Sequence, residues 1–245
     1  MGAAATMNSL DKNILDQYDY AHDPVLQEHL APYDRACLHD MMAYGRGINR
    51  FGLRFVAHQN RVAKDGANLL RALGYSDKAA HNFRAAMLFH DIGKMNAVYD
   101  PQIWTLPDRP TAEQKALQKK HAALGADMWA DHASTIAELN AHPHFAVRYA
   151  VTKYHHERVD GTGPEKLNAE DLPVFVQVSC IVDAYDGDRI KRPHQPKRRT
   201  PSEALKRMAG IDDTQTKSEQ KYIGAFDPDL LKRYTEMKQN EPDYS

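Results

Sequence analysis

Imidazoles and carboxylates recur on five successive stretches of this chain, mostly in apolar surroundings: His58, then His90 with Asp91, then His121, then His155 with His156, then Asp183. A buried polar group needs a partner, and neutral imidazoles have few besides carboxylates and metal ions. One such residue alone reads as an ordinary satisfied core histidine. Five stretches doing it together demand a fold that brings their faces to one place. The His-Asp dipeptide itself carries little, because it also occurs at His22-Asp23 and His39-Asp40.

The stretches read as helices, so the expected fold is all-α. "FVAHQNRVAKDGANLLRALG" has apolar residues at helical spacing and stops at Gly74. Ser76 starts the next helix, which His90 and Asp91 close. Thr111 with Gln114 and Thr200 with Glu203 form capping boxes, Pro201 sits in the first turn, and Asp227-Pro228 repeats the device. "HFAVRYAVTKYHH" follows Pro143. Asn168 precedes one long helix running through "AEDLPVFVQVSCIVDAYD", although its β-branched centre is also the most strand-like part of the chain. Residues 1–45 are expected to be an N-terminal helical extension, residues 46–240 the core domain, and residues 241–245 a frayed polar tail.

Composition removes several function classes. The 245 residues carry a formal net charge of −1, which argues against a nucleic-acid polymer as partner. The basic run Arg189 to Arg199 has no interleaved aromatics for stacking on single strands and reads as a solvated loop. The longest apolar run, Val174 to Val182, is too short to cross a bilayer, and "MGAAATMNSL" lacks the flanks of a signal peptide. Two distant cysteines, Cys37 and Cys180, make no disulfide framework. A cytoplasmic protein with no membrane association is expected.

Imidazole nitrogen with carboxylate oxygen, and no thiolate, suits two divalent ions such as iron, manganese or zinc. Asp91, beside His90, is the natural bridge between them. The seven candidate ligands His58, His90, Asp91, His121, His155, His156 and Asp183 cannot saturate two six-coordinate ions. Open positions mark a catalytic rather than a structural site. Lys94, one turn on from His90 if the helix persists, reads either as a point charge for a bound phosphate or as a surface lysine after Gly93.

With these residues in hand, the chain resembles the HD-GYP branch of the HD metallophosphohydrolase superfamily over roughly residues 50–235. "HQNRVA", "HDIGK", "KKHAALGADM", "HHERVDGTGP", "VDAYD" and "RIKRP" stand in the family's order and spacing. "TPSEAL" and "FDPDLL" resemble its closing segments. The resemblance implies an HD-type helical bundle with additional N-terminal helices. It also implies a centre of divalent ions, usually iron or manganese with zinc, nickel or magnesium as other candidates, and hydrolysis of cyclic di-GMP. It groups His58, His90, Asp91 and Asp183 about one ion, and Asp91, His121 and His155 about the other. His156 is a further ligand or a partner of one. Lys94 and Arg192 would meet the phosphate, and the loop bearing Gly161 and Gly163 would shape the nucleotide site.

Two departures from the family stand out. The usual GYP loop reads "GTGP" and has no tyrosine, which bears on nucleotide specificity but removes no ligand. Where three-metal members carry glutamate, one turn before His58, this chain has Arg54, which implies a two-metal centre. Glu157 and Asp160 read as orienting groups for the histidines or, preferably, as caps of the following loop, and Asp186 shares the helical face of Asp183. His22, His39, His132, His142, His144 and His194 read as surface or loop residues. A diiron oxygenase with the same ligand set and a nucleotide sensor without turnover are the rival readings. Residues 1–45 would cover the site or form a homodimer contact.

Overall fold

The structure, a computed structural model, describes residues 13–190, 198–211 and 222–239. Among them no strand forms, only an isolated antiparallel bridge between Asp160 and Asn168. A π-helical turn, Leu26–Leu30, leads into α1 (Ala31–Ala43). The long α2 (Phe51–Ala72) follows, then α3 (Asp77–Met87), α4 (Ala112–Lys119), α5 (His121–Ser134), the short α6 (Ala137–Asn140) and α7 (Pro143–Tyr154). The chain then forms α8 (Val174–Arg189), α9 (Pro201–Met208) and α10 (Pro228–Gln239). No helix of the described residues is long and apolar enough to cross a membrane.

Local chemistry explains most boundaries. Ser76 accepts from the Ala79 amide and starts α3, while Thr111/Gln114 and Thr200/Glu203 close their capping boxes reciprocally. Asp227 accepts from the amides of Asp229 and Leu230 at the start of α10.

Two boundaries differ from expectation. The helix foreseen from Asn168 is broken: Ala169–Asp171 is a 3-10 turn, Leu172 is extended, and α8 starts after Pro173. Proline disfavours helical geometry in the residue before it. The β-branched run is nonetheless helical, because α8 is buried on nearly every side from Phe175 to Ile181 and tertiary burial overrides weak propensity. The second difference is at the site: α3 ends at Met87, and His90 and Asp91 lie in the turn leading to a 3-10 segment, Ile92–Met95.

α2 packs against α1, α3, α8 and α10, and α5 packs against α7 and the Ile92–Met95 segment. The buried apolar residues form two clusters. One joins α2, α3, α7, α8, α9 and α10. The other joins residues 18–41 to Phe55, Phe89, Ile92, Trp129 and Phe145. His90 and Asp91 are flanked by Met87 of the first cluster and by Phe89 and Ile92 of the second.

Candidate metal centre

The structure brings His58, His90, Asp91, His121, His155, His156 and Asp183 together. They form two groups, His58/His90/Asp91/Asp183 and His121/His155/His156, the ligand atoms within each lying within 4.8 Å of one another. The seven side chains arrive from five places: His58 from mid-α2, His90 and Asp91 from the turn after α3, His121 from the start of α5, His155 and His156 from the turn that ends α7, and Asp183 from α8. Asp91 divides its carboxylate between the groups. Its Oδ1 is 2.9 Å from His121 Nε2 and 3.5 Å from His155 Nε2, while its Oδ2 is 3.4 Å from His58 Nε2 and 3.6 Å from His90 Nε2. Asp183 Oδ1 lies 3.3 Å from His58 Nε2 and 3.4 Å from His90 Nε2.

The other ring nitrogens explain the orientation. Nδ1 of His90, His121 and His155 lies 2.9, 2.6 and 2.8 Å from the carbonyls of Met87, Gln118 and Thr152, each three residues earlier. A carbonyl accepts only, so each Nδ1 must carry a proton, and Nε2 is the nitrogen that each ring turns to the centre. These nitrogens crowd together: His121 Nε2 is 3.3 Å from His155 Nε2, and His156 Nε2 lies 3.2 Å from His121 Nε2. His90 Nε2 and Asp91 Oδ1 are buried without a hydrogen bond. Ring nitrogens facing ring nitrogens and carboxylates leave a cation as the matching partner, so the residues present fit a metal site.

The charge balance agrees. Burial and the neighbouring histidines hold His156 well below its ordinary value, and burial also lowers His90 and His121 against the pull of nearby carboxylates. Neutral imidazole is the ligand form. Burial would raise Asp91, but Lys94, His90 and His121 outweigh it and hold the carboxylate well below its usual range. Asp183 is likewise held low, against burial, by His58 and His90. His58 is pushed up despite burial by Asp183, Asp186 and Asp91, whose combined charge calls for a positive partner.

Asp186 supports this arrangement. Its Oδ2 is 2.6 Å from His58 Nδ1, and Arg61 grips both oxygens at 2.6 and 2.9 Å. Burial would raise Asp186, but these hydrogen bonds bring it to about 2. Such a partner fixes the tautomer and aim of a ligating histidine. Arg61 was not foreseen from sequence. Its signal was spacing: Arg61 follows His58 on α2 as Asp186 follows Asp183 on α8, three residues on each time.

The flanking residues separate into roles. Lys94 forms an ion pair with Asp91 and remains partly exposed at the rim. Its Nζ lies 5.8 Å from the Phe55 ring and 5.6 Å from the Trp104 ring. Glu157, fully buried, accepts from the amides of Glu165 and Leu167, so it organises the loop rather than a histidine. Asp160 accepts from the amide and hydroxyl of Thr162. Gly161 adopts a left-handed φ of +74°, and a Cβ on Gly163 would collide with Glu157, so both glycines serve this tight loop. Arg54 is exposed one turn before His58 and makes no ion pair among the described residues. Arg192 lies outside the described residues. A cleft of about 310 Å³, lined by Ile48, Asn49, Gln102, Thr105 and Leu106 among others, contains no residue of the centre.

Comparison with known proteins gives this geometry a context. A family model described as an HD domain matches residues 52–215. The chain is 32% identical over 167 residues to a cyclic di-GMP phosphodiesterase of Pseudomonas aeruginosa, covering 68% of this chain and 35% of that protein. It is 29% identical over 178 residues to a 3'3'-cGAMP-specific phosphodiesterase of Vibrio cholerae, phosphodiesterase 3, covering 70% of this chain and 35% of that protein. Phosphodiesterase 2 of the same organism is 28% identical over 140 residues, with 57% and 25% covered. The matches thus span about a third or less of the length of these curated relatives. Among solved structures, an HDG"Y"P protein from Bdellovibrio bacteriovorus superposes with a TM-score of 0.60 at 17% identity, covering 96% of this chain and 71% of that one. That likeness speaks for the fold.

Proposed function

The chain belongs to the HD domain family, and on that premise we propose that it is a metal-dependent phosphodiesterase that hydrolyses a cyclic dinucleotide, cyclic di-GMP or a relative of it. The observation that carries this reading is the convergence of Nε2 atoms around a carboxylate with one oxygen turned to each group. His58, His90, Asp91 and Asp183 would hold one divalent ion, and Asp91, His121, His155 and His156 a second, iron or manganese by the family resemblance. Bound there, the ions supply Lewis acidity that lowers the pKa of a water and neutralises phosphate charge.

The chain's own residues do the positioning, which is most of what phosphoryl transfer asks of a protein. The carbonyls of Met87, Gln118 and Thr152, with Asp186, hold the imidazoles in one tautomer and aim. Lys94, anchored on Asp91 and open at the rim, can turn an N–H toward a non-bridging phosphate oxygen. Arg192 would add a forked contact to the same phosphate, and the backbone at Gly161 and Gly163 would border the nucleotide. We assign this catalytic unit to residues 46–240, preceded by an N-terminal extension, residues 1–45, whose described part, residues 13–45, packs onto it; the tail expected at residues 241–245 lies outside the described residues. The names of the curated relatives support a cyclic dinucleotide as substrate. The "GTGP" loop, lacking tyrosine, leaves the choice of base to other groups.

The test is anaerobic incubation of manganese- or iron-loaded protein with cyclic di-GMP and with 3'3'-cGAMP. The expected result is release of a linear dinucleotide or mononucleotide from at least one. Oxygen consumption with no phosphodiester cleavage would contradict the proposal.

A further inference from the structure

Trp104 stands beside the centre without a part in it. It closes the 3-10 turn Pro101–Trp104 and is half-buried. Its Nε1 donates to the Lys94 carbonyl at 3.2 Å, so its one polar atom is satisfied. Its ring lies edge-to-face with His121, centroids 5.8 Å apart at 87°, and with Tyr99 at 4.9 Å and 60°. The segment is pinned: Gln118 donates to the Ile103 carbonyl at 2.7 Å, and Asp100 caps the turn. A large aromatic ring is thus held rigidly at the rim, next to the lysine proposed for the phosphate.

In a nucleotide the base lies one sugar away from the phosphate. Of the aromatic residues near Lys94, Phe55 is buried and stacked on Phe51, and Tyr99 is buried with its hydroxyl bonded to the Leu117 carbonyl. Trp104 alone of these three is not buried. The loop from Glu157 to Asn168, which follows His155 and His156, contains no aromatic residue. We propose that Trp104 is the stacking platform for a base of the substrate and sets the preference for a purine. Stacking on an aromatic side chain is available to every base and strongest for extended rings. The inference rests on the nucleotide-hydrolase reading but is measured separately from it.

The chain has two tryptophans, and Trp129 is buried, so ring contact with a base is reported by Trp104 fluorescence. Cyclic di-GMP is titrated into the metal-loaded protein and into Trp104→Leu and Trp104→Phe, with ribose 5-phosphate as the base-free probe. Saturable quenching by cyclic di-GMP and none by ribose 5-phosphate is expected in the wild type, with the quench lost in both variants. Trp104→Leu is expected to raise KM for cyclic di-GMP about tenfold, and Trp104→Phe to restore it to within about threefold. Hydrolysis without quenching, and with KM unchanged in Trp104→Leu, overturns the inference and leaves the hydrolase reading intact. Saturable quenching with no hydrolysis of either cyclic di-GMP or 3'3'-cGAMP supports the stacking and sinks the hydrolase reading, and absence of quenching and of hydrolysis with both nucleotides sinks both. An equal loss by Trp104→Leu on a phosphodiester with no aromatic group, such as glycerophosphoethanolamine, also overturns it, because Trp104 would then act through Lys94 alone.

Discussion

Two residues after Asp91, Gly93 lies so close to α5 that a Cβ would overlap the His121 carbonyl oxygen and press on the backbone of Gly125. Neither neighbour is a flexible side chain, so α5 itself would have to move. Gly93→Ala is therefore expected to push His121 away from Asp91 and lower metal content by at least about half, read by elemental analysis, with the helical signal in circular dichroism retained. Full metal content would show that the turn can adapt. Asp186 and Arg61 belong to the same scale: a hydrogen bond on the far nitrogen of His58 decides where the near one points. The candidate ligands could be read from sequence because five apolar stretches each offered an imidazole or carboxylate. Arg61 and Trp104 could not. A half-exposed arginine on a helix and a tryptophan in a turn are ordinary by themselves, and only their neighbours distinguish them.

Among the elements, the N-terminal segment is joined to the rest by a buried polar knot. Arg148 of α7 is fully buried and pairs with Asp34 of α1, its Nη2 2.8 Å from Asp34 Oδ2. It also donates to the Ala85 carbonyl at 3.1 Å, and its guanidinium lies 4.6 and 4.8 Å from the Trp129 and Phe89 rings. Tyr20 adds its hydroxyl to Asp34. Removing one partner of a buried pair strands the other charge, so Arg148→Ala should cost about 3–5 kcal/mol in denaturant unfolding. A loss below about 1 kcal/mol would show that water or a neighbour replaces the guanidinium. Helix starts were legible in sequence wherever a side chain caps the backbone, as at Ser76, Thr111 and Thr200. The start of α8 was misread because Pro173 is compatible with the first turn of a helix as well as with a break before it. The end of α3 was misread because Met87 to Met95 passes from α to 3-10 geometry without a glycine or proline at the change.

For the whole molecule, both apolar clusters reach the one turn that carries His90 and Asp91. The fold thus delivers ligands from α2, α5, α7 and α8 to that turn from different directions, and it buries several carboxylates and imidazoles that do not satisfy one another. The all-α class followed from helical periodicity, and the match to the HD domain family agrees with it. How residues 18–41 close over Phe55 and Trp129 was not legible, because that contact depends on shape rather than on a repeating pattern. The most direct test is metal content of the purified chain beside that of Asp91→Ala. About two divalent ions per wild-type chain, with one or both lost in the variant, is the predicted result. Wild-type protein that takes up no divalent ion, or a variant that keeps its full complement, would contradict the claim that these side chains gather to hold a pair of cations.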